Sequence, residues 1–199
     1  MSAAVLVTSA GSATGARAAA AALACAGSEP DRAGLLIDLR SPRPPRPSWI
    51  ASAAARQLEE RLAAHLPRAG VASRGQTCHL SLPPDAGCLE RVAAALSLVR
   101  DSVGVVHLPS SLLQPALEEA LIHPSGVLLR ADLGESRALA ALAVGDLMER
   151  GVPIAVLKRP LGWIAAHRAL AGALPPGTGG AFRQPACDRL LKRVTESFD

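Results

Sequence analysis

Ala4-Val5-Leu6-Val7-Thr8, then Ser9-Ala10-Gly11-Ser12-Ala13-Thr14, then Gly15-Ala16-Arg17 is the stretch on which the fold turns. The apolar, β-branched run predicts a buried strand over Ala4–Thr8, and the alanine-rich Gly15–Ala26 predicts a helix closed by Gly27. Small residues fill the space between them. Such a turn aims backbone N–H groups and the positive end of a helix dipole into one place, the geometry that cradles an anion.

The same alternation runs on down the chain. Gly34–Leu39 (GLLIDL), Thr77–Leu82 (TCHLSL), Val103–Leu108 (VGVVHL), Gly126–Leu133 (GVLLRADL) and Val152–Leu157 (VPIAVL) predict further strands. Trp49–Leu66 carries apolar residues at Ile50, Ala54, Leu58, Leu62 and Leu66, one helix face, with Ser48 as N-cap and Pro67 as stop. Helices are also predicted over Asp85–Arg100, Ser110–Ile122, Ser136–Arg150, Leu161–Leu170 and Asp188–Phe198. Continuously apolar strands, each followed by a helix, imply a parallel sheet covered on both faces. The expectation is a single α/β domain over residues 1–199: three-layer, doubly wound, with a mostly parallel sheet and helices on both faces. Residues 41–47 (SPRPPRP) hold four prolines, which fix φ and remove donors, so they form a Pro/Arg-rich connector. That run also has the composition of a polyproline ligand. Residues 175–187 are a Gly/Pro-rich loop before the C-terminal helix.

Composition narrows the function. Two Phe, two Trp and no Tyr force an aliphatic core and remove the usual base-stacking surface, so the +4 charge does not signal a specific nucleic-acid partner. Cys25, Cys78, Cys88 and Cys187 form no C-x-x-C pair, and Cys78, His79 and Cys88 lack the paired spacing of a zinc site. With no signal-like or membrane-spanning run, a soluble, cytoplasmic protein without metal or cofactor is expected.

The first turn can be set against the phosphate-binding pattern G-x-x-x-x-G-K-[ST]. With Gly15 as the last glycine, Ala10 takes the first glycine position, Ala16 the lysine and Arg17 the magnesium-binding hydroxyl. In this register the chain resembles the ParA/MinD group of deviant Walker-A ATPases, including the CpaE/TadZ-like proteins of Tad pilus systems. LLIDL with Asp38 is similar to that family's second strand. VVHLPSSL (Val105–Leu112) is similar to its Walker-B strand, and AVLKRP (Ala155–Pro160) to the strand that ends in a base-reading Asn. By that resemblance Ala10, Gly11, Ser12, Gly15, Ala16 and Arg17 form a degenerate nucleotide-binding loop. Asp38 and His107 stand at switch and Walker-B positions, and Lys158 at the base-reading position.

Phosphoryl transfer relies on cations and magnesium set against the γ-phosphate, and losing one such contact costs about 3–4 kcal/mol of barrier. With the lysine and both magnesium contacts gone, the resemblance implies a non-hydrolysing pseudo-ATPase acting as a positioning, regulatory or scaffold module, in its sharpest form for a Tad pilus or secretion system. The alternative is a nucleotide-binding protein or enzyme whose unorthodox loop uses Arg17 as a phosphate clamp. The turn also resembles the T-G-x-x-x-G-x-G turn of short-chain dehydrogenases, with Asp38 near the ribose-binding position. Ser9 and Ala13 replace two of those glycines, and the catalytic Tyr is missing.

No acid or thiol neighbours His107 in sequence, so it reads as a satisfied histidine at the edge of the core, and Ser110 and Ser111 lie in no nucleophile elbow. Leu190, Leu191, Val194 and Phe198 form one face of the basic C-terminal helix, which either packs on its own sheet or touches a partner or the inner face of a membrane. Protein partners are expected, a homodimer among them.

Overall fold

The structure, a computed structural model, describes residues 3–9, 13–39, 50–99, 103–112, 115–116, 124–130 and 154–157. Its elements are β1 (Ala3–Ser9), α1 (Ala13–Ala26), β2 (Gly34–Asp38), α2 (Ala53–His65), β3 (Gly70–Arg74), β4 (Thr77–Ser81), α3 (Cys88–Ser97), β5 (Val103–His107), β6 (Pro124–Arg130) and β7 (Ile154–Leu157). A single 3₁₀ turn, Ser110–Leu112, follows β5. One seven-stranded sheet runs in the order β3-β4-β2-β5-β1-β6-β7. Every pairing is parallel except β3 with β4.

The direction of each crossover fixes the layers. From β1 the chain travels toward one edge, past the place later taken by β5, and enters β2 through α1. From β4 it returns the other way through α3 to β5. α1 packs on one face with Val5, Val7, Leu36, Val103 and Val105, while α2 and α3 pack on the other with Leu6, Leu35, Ile37, Leu80 and Val106. Opposite travel with helices on opposite faces keeps both crossovers right-handed. The fold is therefore α/β, three-layer and doubly wound on a mostly parallel sheet, as the alternation of segments implies.

α1 owes its place to small side chains. Its alanines let the backbone lie close to the sheet, and a Cβ on Gly34 would stand 2.0 Å from the Ala24 carbonyl oxygen. The cores on the two faces are aliphatic, with Leu6, Leu23, Leu36, Ile37, Leu62 and Leu80 fully buried.

Several element bounds differ from the sequence expectation. α2 begins at Ala53, and its N-cap is Ser52, whose Oγ accepts from the Ala55 N–H at 3.2 Å; Ser48 lies outside the described residues. Residues Ile50 and Ser52 are held instead by Gly75: Gly75 N donates to Ile50 O and Ser52 N to Gly75 O, each at 2.8 Å. Ile50 is accordingly 60% exposed, not part of the helix face. α1 starts at Ala13, ahead of Gly15. α3 starts at Cys88, because Asp85 belongs to a turn closed by Cys88 N to Asp85 O (3.1 Å) and by Gly87 at φ +80°. β6 begins at Pro124, the strand position where a missing N–H is tolerated.

β3 has no counterpart in the sequence reading. It is an antiparallel edge strand whose Ser73 N–H donates 3.0 Å to the Glu59 carboxylate of α2, which also meets the Ser73 hydroxyl. The helices read over Ser136–Arg150, Leu161–Leu170 and Asp188–Phe198, the connector 41–47 and the loop 175–187 lie outside the described residues. Among the described residues no helix is long and apolar enough to cross a membrane.

Candidate functional site

In an open, doubly wound sheet, ligands bind beyond the carboxyl ends of the strands, where neighbouring connections leave in opposite directions. Here that point lies between β1, whose chain departs toward β2, and β5, whose chain departs over β1 toward β6. α1 starts above it, with no acid in its first turn.

Three of the residues singled out in sequence meet there. Asp38 ends β2 and His107 ends β5, and they are register partners. Both lie on the α1 face by strand alternation, since Leu36, Val103 and Val105 do. Arg17, in the second turn of α1, reaches down to them. Its Nε stands 2.6 Å from Asp38 Oδ2, and His107 Nδ1 stands 3.0 Å from Asp38 Oδ1. The Asp38 side chain is 5% exposed, that of His107 1% and that of Arg17 38%. Arg17 Nε makes no aligned hydrogen bond despite its short approach, so the contact is one of charge.

Proton positions follow from the partners. An ionised carboxylate beside a guanidinium only accepts, so Nδ1–H of His107 is assigned as the donor to Asp38. The ring's Nε2 is buried and has no hydrogen-bond partner among the described residues. His107 is thus only half satisfied, which corrects the expectation of a satisfied core-edge histidine; the carboxylate absent from its sequence neighbourhood arrives from β2. A buried, unpaired polar nitrogen of this kind costs about 1–3 kcal/mol.

The polar face continues along the sheet, and the sequence reading missed this part. Thr77 Oγ1 donates to Arg74 O at 3.0 Å, which leaves the hydroxyl to accept from His79 Nε2–H, also at 3.0 Å. Burial, with Arg17 and Arg74 nearby, outweighs Asp38 and lowers the His79 pKa to about 4, so the ring is neutral. Arg74 Nε is itself buried without a hydrogen-bond partner among the described residues. The available signal was the alternation of Thr77, His79 and Ser81 in TCHLSL, which gives β4 one polar face. Cys78 and Cys88 belong to the opposite, aliphatic face. Burial raises the thiol pKa of Cys78, and that of half-buried Cys25 to about 11.

Ala16 is fully buried within α1, and Gly15 precedes it in the same helix. Ala10, Gly11, Ser12, Lys158, Leu190, Leu191, Val194 and Phe198 lie outside the described residues. No group of His, Cys, Asp and Glu able to hold a metal occurs among the described residues.

Comparison with family models and with curated protein sequences gives no match. Among solved structures, a ParA family ATPase from Chlorobium tepidum TLS is similar in outline: 16% identical, over 97% of this chain and 89% of that one, with a TM-score of 0.49.

Proposed function

We propose that the chain is a non-hydrolysing pseudo-ATPase of the ParA/MinD class that works as a positioning, regulatory or scaffold module, with a Tad pilus or secretion system as the sharpest setting. One observation carries the first half: the charges at the switch point are spent on one another. Arg17 is drawn to Asp38 at 2.6 Å and His107 to the same carboxylate at 3.0 Å. A phosphate clamp needs a guanidinium free to form two parallel bonds to the anion, and a magnesium site needs a carboxylate without a resident cation. The Arg17-clamp alternative has to break a contact with an almost fully buried carboxylate before it can begin. The setting in the cell rests on the sequence resemblance alone.

The test is calorimetric titration with ATP and GTP, with and without magnesium, beside an assay for inorganic phosphate release. The expected result is no magnesium-dependent binding and no turnover. Steady phosphate release that disappears in Arg17→Ala would overturn the proposal and favour the clamp.

A further inference from the structure

We propose that Glu59 makes an autoinhibitory contact: its carboxylate occupies the open edge of the sheet and holds off a second copy of this chain, which would otherwise pair with it β3 to β3. The inference goes beyond the pseudo-ATPase reading and does not depend on it.

β3 ends the sheet on one side, with β4 as its strand neighbour. In an antiparallel pair, successive residues turn their N–H and C=O alternately toward the neighbour and away from it. Two sets of bonds fix which residues of β3 turn away. Gly75 N donates to Ile50 O and the Gly75 carbonyl accepts from Ser52 N, each at 2.8 Å, while Ser73 N donates to Glu59 Oε2 at 3.0 Å. Two residues earlier Val71 turns the same way, and its N–H has no hydrogen-bond partner among the described residues.

The edge is filled unevenly. At Gly75 the backbone of Ile50–Ser52 lies alongside, bridged in parallel through Ala51. The chain then leaves for α2, and among the described residues the group that reaches the edge at Ser73 is a side chain, the Glu59 carboxylate. Ser73 Oγ donates to Ala55 O at 3.1 Å and also meets that carboxylate, so two successive turns of α2 hold this one residue.

A bare strand edge is a template for another strand, and proteins close such edges with charged side chains. The register of β3 says what this edge would take. Set antiparallel, with Ala72 opposite Ala72 of a second copy, Val71 of each chain faces Ser73 of the other. All of these residues turn their N–H and C=O outward, so the arrangement is its own complement. Arg74 then stands opposite Gly70, and no like charges meet directly. The Ser73 N–H that this pairing needs is the one Glu59 holds, in both copies at once. A docked Glu59 also sets a negative charge where the Val71 carbonyl of the second copy would stand. Because Gly75 is already taken, pairing is confined to residues 71–73, too small a contact for a permanent dimer and one that a single side chain can hold off.

The experiment is sedimentation equilibrium of the full chain over a range of concentrations, on wild type, Glu59→Ala and Glu59→Gln, with amide hydrogen exchange at Val71 and Ser73 under each condition. E59A is expected to gain mass with concentration, rising roughly twofold over wild type, as mass action requires of a weak dimer. Its Val71 and Ser73 amides, fast when dilute, slow together as the mass rises. In wild type the exchange of Val71 does not change with concentration. E59Q keeps an oxygen for the Ser73 N–H and behaves as wild type does. Adding Val71→Pro to E59A deletes one of the pairing donors at an edge position that tolerates proline, and the mass returns to that of wild type. The exchange of Val71 keeps the test decisive if that double variant fails to fold. E59A with the mass of wild type at every concentration overturns the proposal, as does concentration-dependent protection of Val71 in wild type. Protection of Val71 in dilute E59A also overturns it, since a segment of the same chain then fills the edge, and so does E59Q that associates as strongly as E59A.

Discussion

Asp38 is the residue on which the switch point depends, and Asp38→Ala separates its two contacts. The imidazole it holds is 1% exposed, so truncation strands His107 Nδ1–H without an acceptor, at a cost of about 1–3 kcal/mol. The Arg17 side chain is 38% exposed and can turn to water, so the lost ion pair adds at most about 1 kcal/mol. The sum is about 1–4 kcal/mol, or a fall of about 2–16 °C in Tm for a domain of this size. Asp38→Asn keeps an oxygen for Nδ1–H and loses only the charge, so its cost is about 1 kcal/mol or less. Adding His107→Leu to Asp38→Ala removes the stranded donor, and the double variant is expected to recover about 1 kcal/mol over the single one. Urea and thermal melts followed by circular dichroism measure all three. If D38A and D38N melt together, within about 0.5 kcal/mol of wild type, the carboxylate does not organise the site and the proton assignment made for His107 fails with it.

Three further outcomes are expected from other parts of the molecule. His79 titrates near 4 when folded against 6.5 when unfolded, so the unfolded chain binds the extra proton first; stability is flat above pH 6.5, falls by about 3 kcal/mol as pH drops toward 4, then levels. Urea melts across that range should show the slope in wild type and its loss in His79→Gln. Gly34→Ala puts a methyl group 2.0 Å from the Ala24 carbonyl oxygen, and a loss of about 3 kcal/mol or more is expected in the same melts, since backbone and not a flexible side chain stands in the way. Glu59→Ala strips the partner from the Ser73 N–H on the edge strand and should cost about 1–2 kcal/mol, with faster amide exchange at Ser73 than at Ala72, whose N–H faces β4; unchanged exchange at Ser73 would mean that Glu59 does not cap the edge.

What could be read in the sequence was what local pattern controls. The strands over Leu35–Ile37, Val103–Val106 and Val127–Leu129 declare themselves because continuous apolar runs must be buried on both faces. β3 did not declare itself: Gly70-Val71-Ala72-Ser73-Arg74 is short and weakly apolar, and it is held by a hairpin with β4 and by Glu59, 14 residues away. Ser48 was the cap expected from the sequence, and the structure uses Ser52. The choice was made by Gly75, which pairs with Ala51 across the turn between β3 and β4. His107 and Asp38 are 69 residues apart, and nothing local shows that β5 inserts between β1 and β2. One clue was present: both LLIDL and VVHL place a single ionisable residue at the carboxyl end of an otherwise apolar strand, and in a parallel sheet those ends lie side by side.

That insertion also explains how the chain can hold this polar cluster in its interior. A carboxylate buried as deeply as Asp38 has to be compensated, and the compensation can come from a bound cation or from the protein. Here the protein supplies it, through Arg17 one residue beyond the position where a Walker lysine would stand. Ala16 meanwhile is packed into the core with no exposed surface, so its Cβ faces the sheet and not an anion at the helix end. Restoring a lysine at position 16 alone would bury a second cation beside Arg17 and displace apolar packing, and the resident pair would remain in place. On the proposed reading hydrolysis is opposed twice, by the absence of a lysine in the loop and by the internal salt bridge. Reversing either one alone is not expected to bring turnover back.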